Sequence, residues 1–167
     1  VISGSNTGGK TVTLKMCGLF SLMASCGLFV PAAEGTKIST CDEVCCDVGD
    51  SQSIEENLST FSSHIVNLRD ILNQAGRRSL VLVDEPGGGT DPEEGQALAT
   101  AILSALVKKG CVGIVTTHFS ALKEYALKTE GLQNGCMEFD AGDYRPLYRL
   151  KMGMPGASNA LKICRRL

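Results

Sequence analysis

The sequence has no excess of basic residues. Its 167 residues contain 16 Lys and Arg against 18 Asp and Glu, which gives a formal net charge of −2. A surface that binds nucleic acid normally carries a basic excess, because neutralisation of phosphates supplies most of the affinity. If the protein acts on DNA or RNA, we therefore expect the binding surface to lie outside this segment.

Long uninterrupted apolar runs are also missing. The longest apolar stretch, residues 16–33, is broken by Ser, Gly and Pro residues, so it falls short of the ~20 apolar residues that span a bilayer. The chain begins at Val1, without a charged targeting segment or a cleavage site. We expect a fragment with no membrane partner, from the cytoplasm of a bacterium or, if the source is a plant or alga, from an organelle.

The eight cysteines lack the spacing of a structural metal site. The closest group, Cys41, Cys45 and Cys46, has no second Cys pair and no His at ligand spacing. We therefore prefer the alternative, a set of small, mostly buried and reduced thiols. Hydrophobic residues make up 43% of the chain, which allows a sizeable core and excludes intrinsic disorder.

Segments with strand and helix patterns alternate along the chain. The third helix begins at Pro92 and ends at Gly110, and Ser59 or Thr60 is the expected N-cap of the second. The alternation predicts an α/β fold with a mainly parallel sheet flanked by helices. The strand patterns cover residues 1–3, 37–48, 79–83, 111–116, 132–139 and 145–152, and the other helical patterns cover residues 11–26, 59–74, 120–127 and 157–167.

A glycine-rich motif, G-x-x-x-x-G-K-T, joins the first strand to the first helix. In such a loop backbone N–H groups and a helix N-terminus bind phosphates, the Lys contacts the β- and γ-phosphates, and the hydroxyl binds Mg²⁺. The strand before it and the helix after it are the context that this motif requires. It predicts a P-loop that binds a nucleotide through its glycines Gly4, Gly8 and Gly9 and through Lys10 and Thr11.

Two further motifs follow predicted strands. Four apolar residues run into Asp84 and Glu85, the pattern of a Walker B strand, in which the Asp belongs to the Mg²⁺ shell and the Glu can act as general base. The alternative is a strand that merely ends at solvent with two acids. Thr116-Thr117-His118 ends the next strand, where parallel sheets collect ligands, so His118 can hydrogen-bond the γ-phosphate or the attacking water.

The order of these motifs resembles the ATPase core of the MutS family. Gln52 lies in a polar loop, an S-T-F run containing Ser59 opens a helix, and a G-T-D loop containing Asp91 follows Walker B. The sequence is most similar to the type-two branch of that family, through the stretches SNTGGKTVTLK, GDSQSIEENLSTFSSH, GTDPEEGQALA and TTHFSALKEYAL.

The resemblance implies a P-loop NTPase with an ABC-type ATPase core, which uses ATP and Mg²⁺ and works as a homodimer with two composite sites. Thr11 and Asp84 would hold Mg²⁺, while Lys10, Glu85 and His118 would act in catalysis. Four more residues would contact or sense nucleotide: Asn6 in the glycine-rich loop, Gln52, Ser59 acting on the second subunit's nucleotide, and Asp91 at the dimer interface.

The resemblance also implies a role in DNA repair or recombination control, within the mismatch repair family. ATP would drive closure of the dimer on branched or mismatched DNA, which is bound by regions outside this chain, and the ribosome is a further candidate partner of the full protein. We expect residues 1–167 to be an N-terminally truncated ATPase domain, without its clamp, its lever and any downstream domain. The alternatives are another ABC or SMC-like ATPase subunit, disfavoured because no L-S-G-G-Q run is present, and a fragment that is inactive alone.

Two departures from the family pattern follow Walker B. Pro86 replaces the usual aliphatic residue, restraining the backbone and removing an N–H group. The glycine run at residues 87–89 predicts a more flexible loop, which would loosen Asp91.

Overall fold

Helices and strands alternate in the computed structural model, which describes residues 1–5, 8–49, 57–140 and 145–156. The predicted helix at residues 157–167 lies outside this part. The elements are β1 (Ile2–Ser3), α1 (Lys10–Ser25), β2 (Glu43–Asp47), α2 (Asn57–Gln74), β3 (Ser79–Val83), α3 (Pro92–Lys109), β4 (Val112–Val115), α4 (Ser120–Lys128), β5 (Gly135–Asp140) and β6 (Arg145–Met152).

The strands form two three-stranded sheets, β2-β3-β4 and β1-β5-β6, in which most pairings are parallel. β2, β3 and β4 pair in parallel in that order, β1 pairs in parallel with β5, and β5 pairs with β6 antiparallel. A parallel bridge between Ile2 and Thr116 places β1 beside the end of β4. The predicted α/β fold with a mainly parallel sheet and flanking helices is therefore confirmed.

Strand β3 lies at the centre of the core, and all five of its residues are buried. Val81 and Val83 belong to a cluster with residues of α2, α3 and α4, while Leu80 and Leu82 pack with Leu14 of α1. Coverage of both faces explains why the strand is a continuous apolar run. This packing holds the carboxyl end of β3, which carries the two acids, between helices.

The ends of α3 agree with the prediction, whereas the start of α2 does not. Pro92 occupies the first turn of α3, and Gly110 ends the helix in a left-handed conformation with φ 67°. Helix α2 begins at Asn57, so Ser59 and Thr60 lie inside its first turn and the N-cap prediction is wrong. The physical reason is that Ser and Thr are only mildly unfavourable inside a helix, so the helix can extend past them.

The strand predicted within residues 37–48 is one strand, β2, and it is partly exposed. The expectation of mostly buried cysteines is wrong, because the seven described cysteines are free thiols of which five are half-buried and two, Cys26 and Cys46, are exposed. Burial nevertheless raises the pKa of the Cys17, Cys45 and Cys111 thiols. Within the described ranges, no helix is long and apolar enough to cross a membrane.

Candidate active site

The loops that follow β1, β3 and β4 meet at one edge of the sheet. These strands are parallel neighbours, so their carboxyl ends point the same way, which is where ligands gather in open α/β sheets. The main-chain N–H of Thr117 donates to the carbonyl of Ile2 at 2.9 Å, and that of Thr116 donates to the carbonyl of Val83 at 3.0 Å. Backbone hydrogen bonds thus tie the three strand ends together.

Lys10 is the first residue of α1 and is 3% exposed. Its Nζ donates to the carbonyl of Gly4 at 3.2 Å and to that of Ser5 at 3.5 Å, and it forms an ion pair with Glu85 Oε1 at 3.3 Å. The turn before the helix closes where the N–H of Gly8 donates to the carbonyl of Ser5 at 2.9 Å, and Gly9 adopts φ 89°. A buried ammonium is therefore fixed between the glycine-rich turn and a carboxylate.

The carboxylate of Asp84 accepts hydrogen bonds from hydroxyl groups in two different parts of the chain. Thr11 Oγ1 of α1 donates to Asp84 Oδ2 at 2.7 Å, and the hydroxyl of Thr116, after β4, donates to Oδ1. A carboxylate beside a hydroxyl offers the hard oxygen ligands that Mg²⁺ prefers. Of the residues predicted to hold Mg²⁺, both Thr11 and Asp84 are therefore in direct contact.

The carboxylate of Glu85 lies between two cationic or potentially cationic groups. Oε1 faces Lys10 Nζ at 3.3 Å, and Oε2 lies 3.4 Å from His118 Nδ1. The backbone of Glu85 has φ 47°, a left-handed conformation that is uncommon for a residue with a side chain. Strain of this kind concentrates at functional sites, because the surroundings must hold the residue in place.

Sequence reasoning assigned His118 but gave no separate role to Thr116. The Thr116 side chain is completely buried, and its hydroxyl accepts from the backbone N–H of Glu85 at 2.9 Å while donating to Asp84. Its place in the T-T-H motif, directly after a strand beside Walker B, was the available signal. The ring of His118, which is half exposed, lies 4.2 Å from that of Phe119 between centroids.

The remaining predicted site residues are not brought into this cluster by the described contacts. Asn6 and Gln52 lie outside the described residues, and so does the side chain of Ser59, whose backbone is in the first turn of α2. Asp91 is the N-cap of α3, and its carboxylate accepts from the N–H groups of Glu93 at 2.9 Å and Glu94 at 3.4 Å.

The loop between Glu85 and Asp91 contacts α3 through the backbone of Gly87. Gly87 packs directly on the first turns of α3, so that a Cβ atom at Gly87 would lie 2.2 Å from the carbonyl oxygen of Gly95. Its φ of 83° is open to glycine at little cost. The glycine therefore permits a close approach of the loop backbone to α3.

Comparison with known proteins adds a family match over nearly the whole chain. The family model described as MutS domain V matches residues 1–165. The chain is 56% identical over its full length to the protein named endonuclease MutS2 of Alkaliphilus oremlandii (strain OhILAs), and 57% identical to those of Caldanaerobacter subterraneus subsp. tengcongensis and Clostridium acetobutylicum. It spans 21% of the length of each of these curated relatives.

Proposed function

Because the chain belongs to the MutS family, and within it to the type-two branch, we propose that it is an ATP-binding and ATP-hydrolysing domain of a DNA-handling protein. The observation that carries this proposal is the meeting of Lys10, Glu85 and His118 next to the contact between Thr11 and Asp84. An ammonium, a carboxylate, an imidazole and a pair of oxygen ligands are groups that can bind a phosphate with its metal and orient an attacking water.

Phosphate binding falls to the glycine-rich turn and to the start of α1. The N–H groups around Gly8 and Gly9 and the N-terminus of α1 favour a polyanion, and Lys10 adds a full positive charge at the same place. In this proposal the turn is a P-loop, with Asn6 as a further contact, in an ABC-type ATPase core that residues 1–167 form. Lys10 then transfers its contacts from main-chain carbonyls to phosphate oxygens.

The oxygen ligands of Thr11 and Asp84 fit Mg²⁺, which neutralises the charge that builds up on the β- and γ-phosphates when it is bound. Glu85 acts as general base for the attacking water, because its carboxylate lies beside Lys10 and His118 and is still partly exposed. His118, which lies beside Oε2 of Glu85, orients that water or the γ-phosphate. The Thr116 hydroxyl holds Asp84 and Glu85 in position relative to each other.

The homodimer completes the site. From the family resemblance, Ser59 at the start of α2 reaches the nucleotide of the second copy, Gln52 senses Mg²⁺ and γ-phosphate, and Asp91 lies at the interface. ATP binding would close the dimer on branched or mismatched DNA, which regions outside this chain bind, in agreement with its net charge of −2. The ribosome stays a candidate partner of the full protein, and the bacterial relatives favour a bacterial cytoplasm as its location.

The test is Glu85→Gln in the full-length protein. Loss of the general base should lower kcat about 10²–10⁴-fold, while ATP binding and ATP-dependent dimer formation persist. Steady-state ATPase assays and sedimentation with Mg-ATP measure the two effects, and Glu93→Gln, an exposed acid on α3, is the matched control.

Unchanged turnover in Glu85→Gln would remove Glu85 from catalysis. The same assay on the parent protein distinguishes a DNA-handling ATPase from a transporter subunit, because branched DNA should stimulate only the former. Stimulation by a membrane fraction and not by DNA would instead favour a transporter subunit.

A further inference from the structure

Asp47, at the carboxyl end of β2, is a buried acid that the proposed chemistry does not use. It is 5% exposed, and its carboxylate oxygens lie 3.1 and 3.0 Å from His64 Nδ1. Asn67 Nδ2 donates to the same carboxylate at 2.7 Å. A buried carboxylate needs such donors, because its desolvation would otherwise disfavour the folded state.

The main chain of Asp47 connects this acid to the candidate active site. Its carbonyl accepts from the backbone N–H of Asp84 at 2.9 Å, so one residue joins the Mg²⁺-ligand strand end through its backbone and α2 through its side chain.

His64 and Asn67 are three residues apart on α2 and therefore share one helix face. Asn67 also donates to the carbonyl of Cys46 at 3.3 Å, so it contacts two consecutive residues of β2. The other edge of the His64 ring lies against the chain after β2, where a Cβ atom at Gly49 would be 3.0 Å from His64 Cε1. The ring is thus confined between Asp47 and Gly49.

The contacts of Asp47 fix the position of α2 along its axis. His64 follows Ser59 by five residues, which in a helix is about 7.5 Å. Since a helix moves as a rigid unit over this distance, a displacement of His64 relative to Asp47 displaces Ser59 relative to Asp84. The start of α2 is the part of the helix to which the resemblance assigns contact with the second copy's nucleotide.

We propose that Asp47, His64 and Asn67 are positioning residues that set the placement of the α2 N-terminus, and so the rate of hydrolysis in the composite site, without touching nucleotide. This inference rests on the proposed ATPase function. The competing explanation is that the three residues only satisfy a buried acid and stabilise the sheet edge.

The experiment separates the hydrogen bond from the packing of the ring in the full-length protein. His64→Phe keeps a ring against Gly49 and removes the donor to Asp47, whereas His64→Asn keeps an N–H donor near the position of Nδ1. Arg69→Ala is the control on the same helix, because Arg69 is exposed and pairs with its neighbour Asp70 on the helix surface. Turnover, ATP affinity below the dimerisation concentration and ATP-dependent dimer formation are measured for each.

We expect His64→Phe to lower kcat about 5- to 50-fold and to weaken ATP-dependent dimer formation, because it removes a hydrogen bond to a charged group. Its ATP affinity as a monomer should stay within about twofold, since Lys10, Thr11 and Asp84 are untouched. His64→Asn should recover most of kcat, and Arg69→Ala should match the parent. Asn67→Ala removes the second donor and should also lower kcat while leaving the ATP affinity of the monomer unchanged. This variant replaces His64→Phe as the test if the Phe variant does not fold.

Three results would overturn the inference: parental turnover in both His64→Phe and Asn67→Ala, equal losses in His64→Phe and His64→Asn, or a fall in monomer ATP affinity that matches the fall in kcat. The last would mark a general structural role. Failure of the proposed function is distinguishable, because it appears as absent ATP hydrolysis in the parent protein before any residue of this group is changed.

Discussion

Among single residues, Thr116 holds both acids of the candidate site in place. Its hydroxyl donates to the Asp84 carboxylate and accepts from the Glu85 backbone N–H at 2.9 Å. The left-handed φ of Glu85, 47°, costs energy that this hydrogen bond helps to offset. Asp84, the proposed Mg²⁺ ligand, and Glu85, the proposed general base, therefore share one buried hydroxyl as a hydrogen-bond partner.

Thr116→Val should reduce turnover, because it removes the hydroxyl while nearly keeping the volume of the side chain. A hydrogen bond to a charged group contributes about 1.5–3 kcal/mol, which corresponds to roughly a 10- to 150-fold loss of kcat if it is needed in the transition state. Thr116→Ser, which keeps the hydroxyl, should stay within about threefold of the parent. Steady-state ATPase assays on the full-length protein measure both, and equal turnover in the two variants would contradict this role.

Motifs in the sequence identify Lys10, Asp84, Glu85 and His118, because the chemistry of each is tied to a fixed position after a strand or before a helix. Their pairing is a different matter. The ion pair of Lys10 with Glu85 depends on the left-handed backbone at Glu85, which no sequence pattern reveals. The contact between Asp47 and His64 joins residues 17 positions apart that form no known spacing.

At the scale of elements, the loop after β3 is held against α3 by two glycines. A Cβ atom at Gly95 would lie 2.3 Å from the carbonyl oxygen of Gly87, a distance that backbone atoms cannot accommodate without moving. This approach fixes the loop that leads to Asp91 and to the N-cap of α3. The start of α3 and the loop that carries Asp91 therefore depend on the same contact.

Gly95→Ala should destabilise α3 although Ala is the better helix former. Overpacking costs about 1–3 kcal/mol, against roughly 1 kcal/mol gained from helix propensity, so the expected balance is a loss of up to about 2 kcal/mol. Hydrogen–deuterium exchange of α3 amides should become faster in the variant. Gly113→Ala is the control, because its Cβ would meet its nearest atom at an ordinary 3.5 Å. Equal exchange in the two variants would show that the glycine contact is not restrictive.

Elements that carry a clear sequence pattern or boundary residues could be predicted closely. β3 is a continuous apolar run, and α3 is bounded by Pro92 and Gly110, so the structure reproduces both. Helix α1 could not be oriented from its sequence, because it is apolar on opposite sides: Leu14 is fully buried, whereas Val12 and Leu19 are 63% and 56% exposed. Contacts with β2 and β3 decide which face of α1 is buried, and the sequence pattern of α1 alone does not reveal these contacts.

At the scale of the whole molecule, β1 is enclosed by segments that are distant in sequence. Ile2 bridges to Thr116 on one side and pairs with Gly135 on the other. Ser3 is completely buried, and its Oγ accepts from the backbone N–H of Gly156 at 2.7 Å. The chain after β6 therefore packs on the strand that leads into the glycine-rich turn, an arrangement that only long-range contacts create.

Gly156→Ala should weaken ATP binding, since the new Cβ atom would lie 2.8 Å from the backbone nitrogen of Gly4 and 2.9 Å from the carbonyl carbon of Ser3. Neither is the end of a flexible side chain, so the entry to the turn must shift. If the turn has to return to bind phosphates, overpacking of about 1–3 kcal/mol is subtracted from the binding free energy. The Kd for ATP then rises roughly 5- to 150-fold.

Calorimetric titration of the full-length protein with Mg-ATP measures this effect. Gly76→Ala is the matched control, because its Cβ would meet nothing within 4 Å. A Gly156→Ala variant that binds ATP as tightly as Gly76→Ala would mean that the glycine-rich turn is positioned independently of the segment after β6. Weakened binding in the Gly156 variant alone would instead mean that phosphate binding depends on packing across 153 residues of the chain, because the strain then acts through β1 on the turn that holds Lys10.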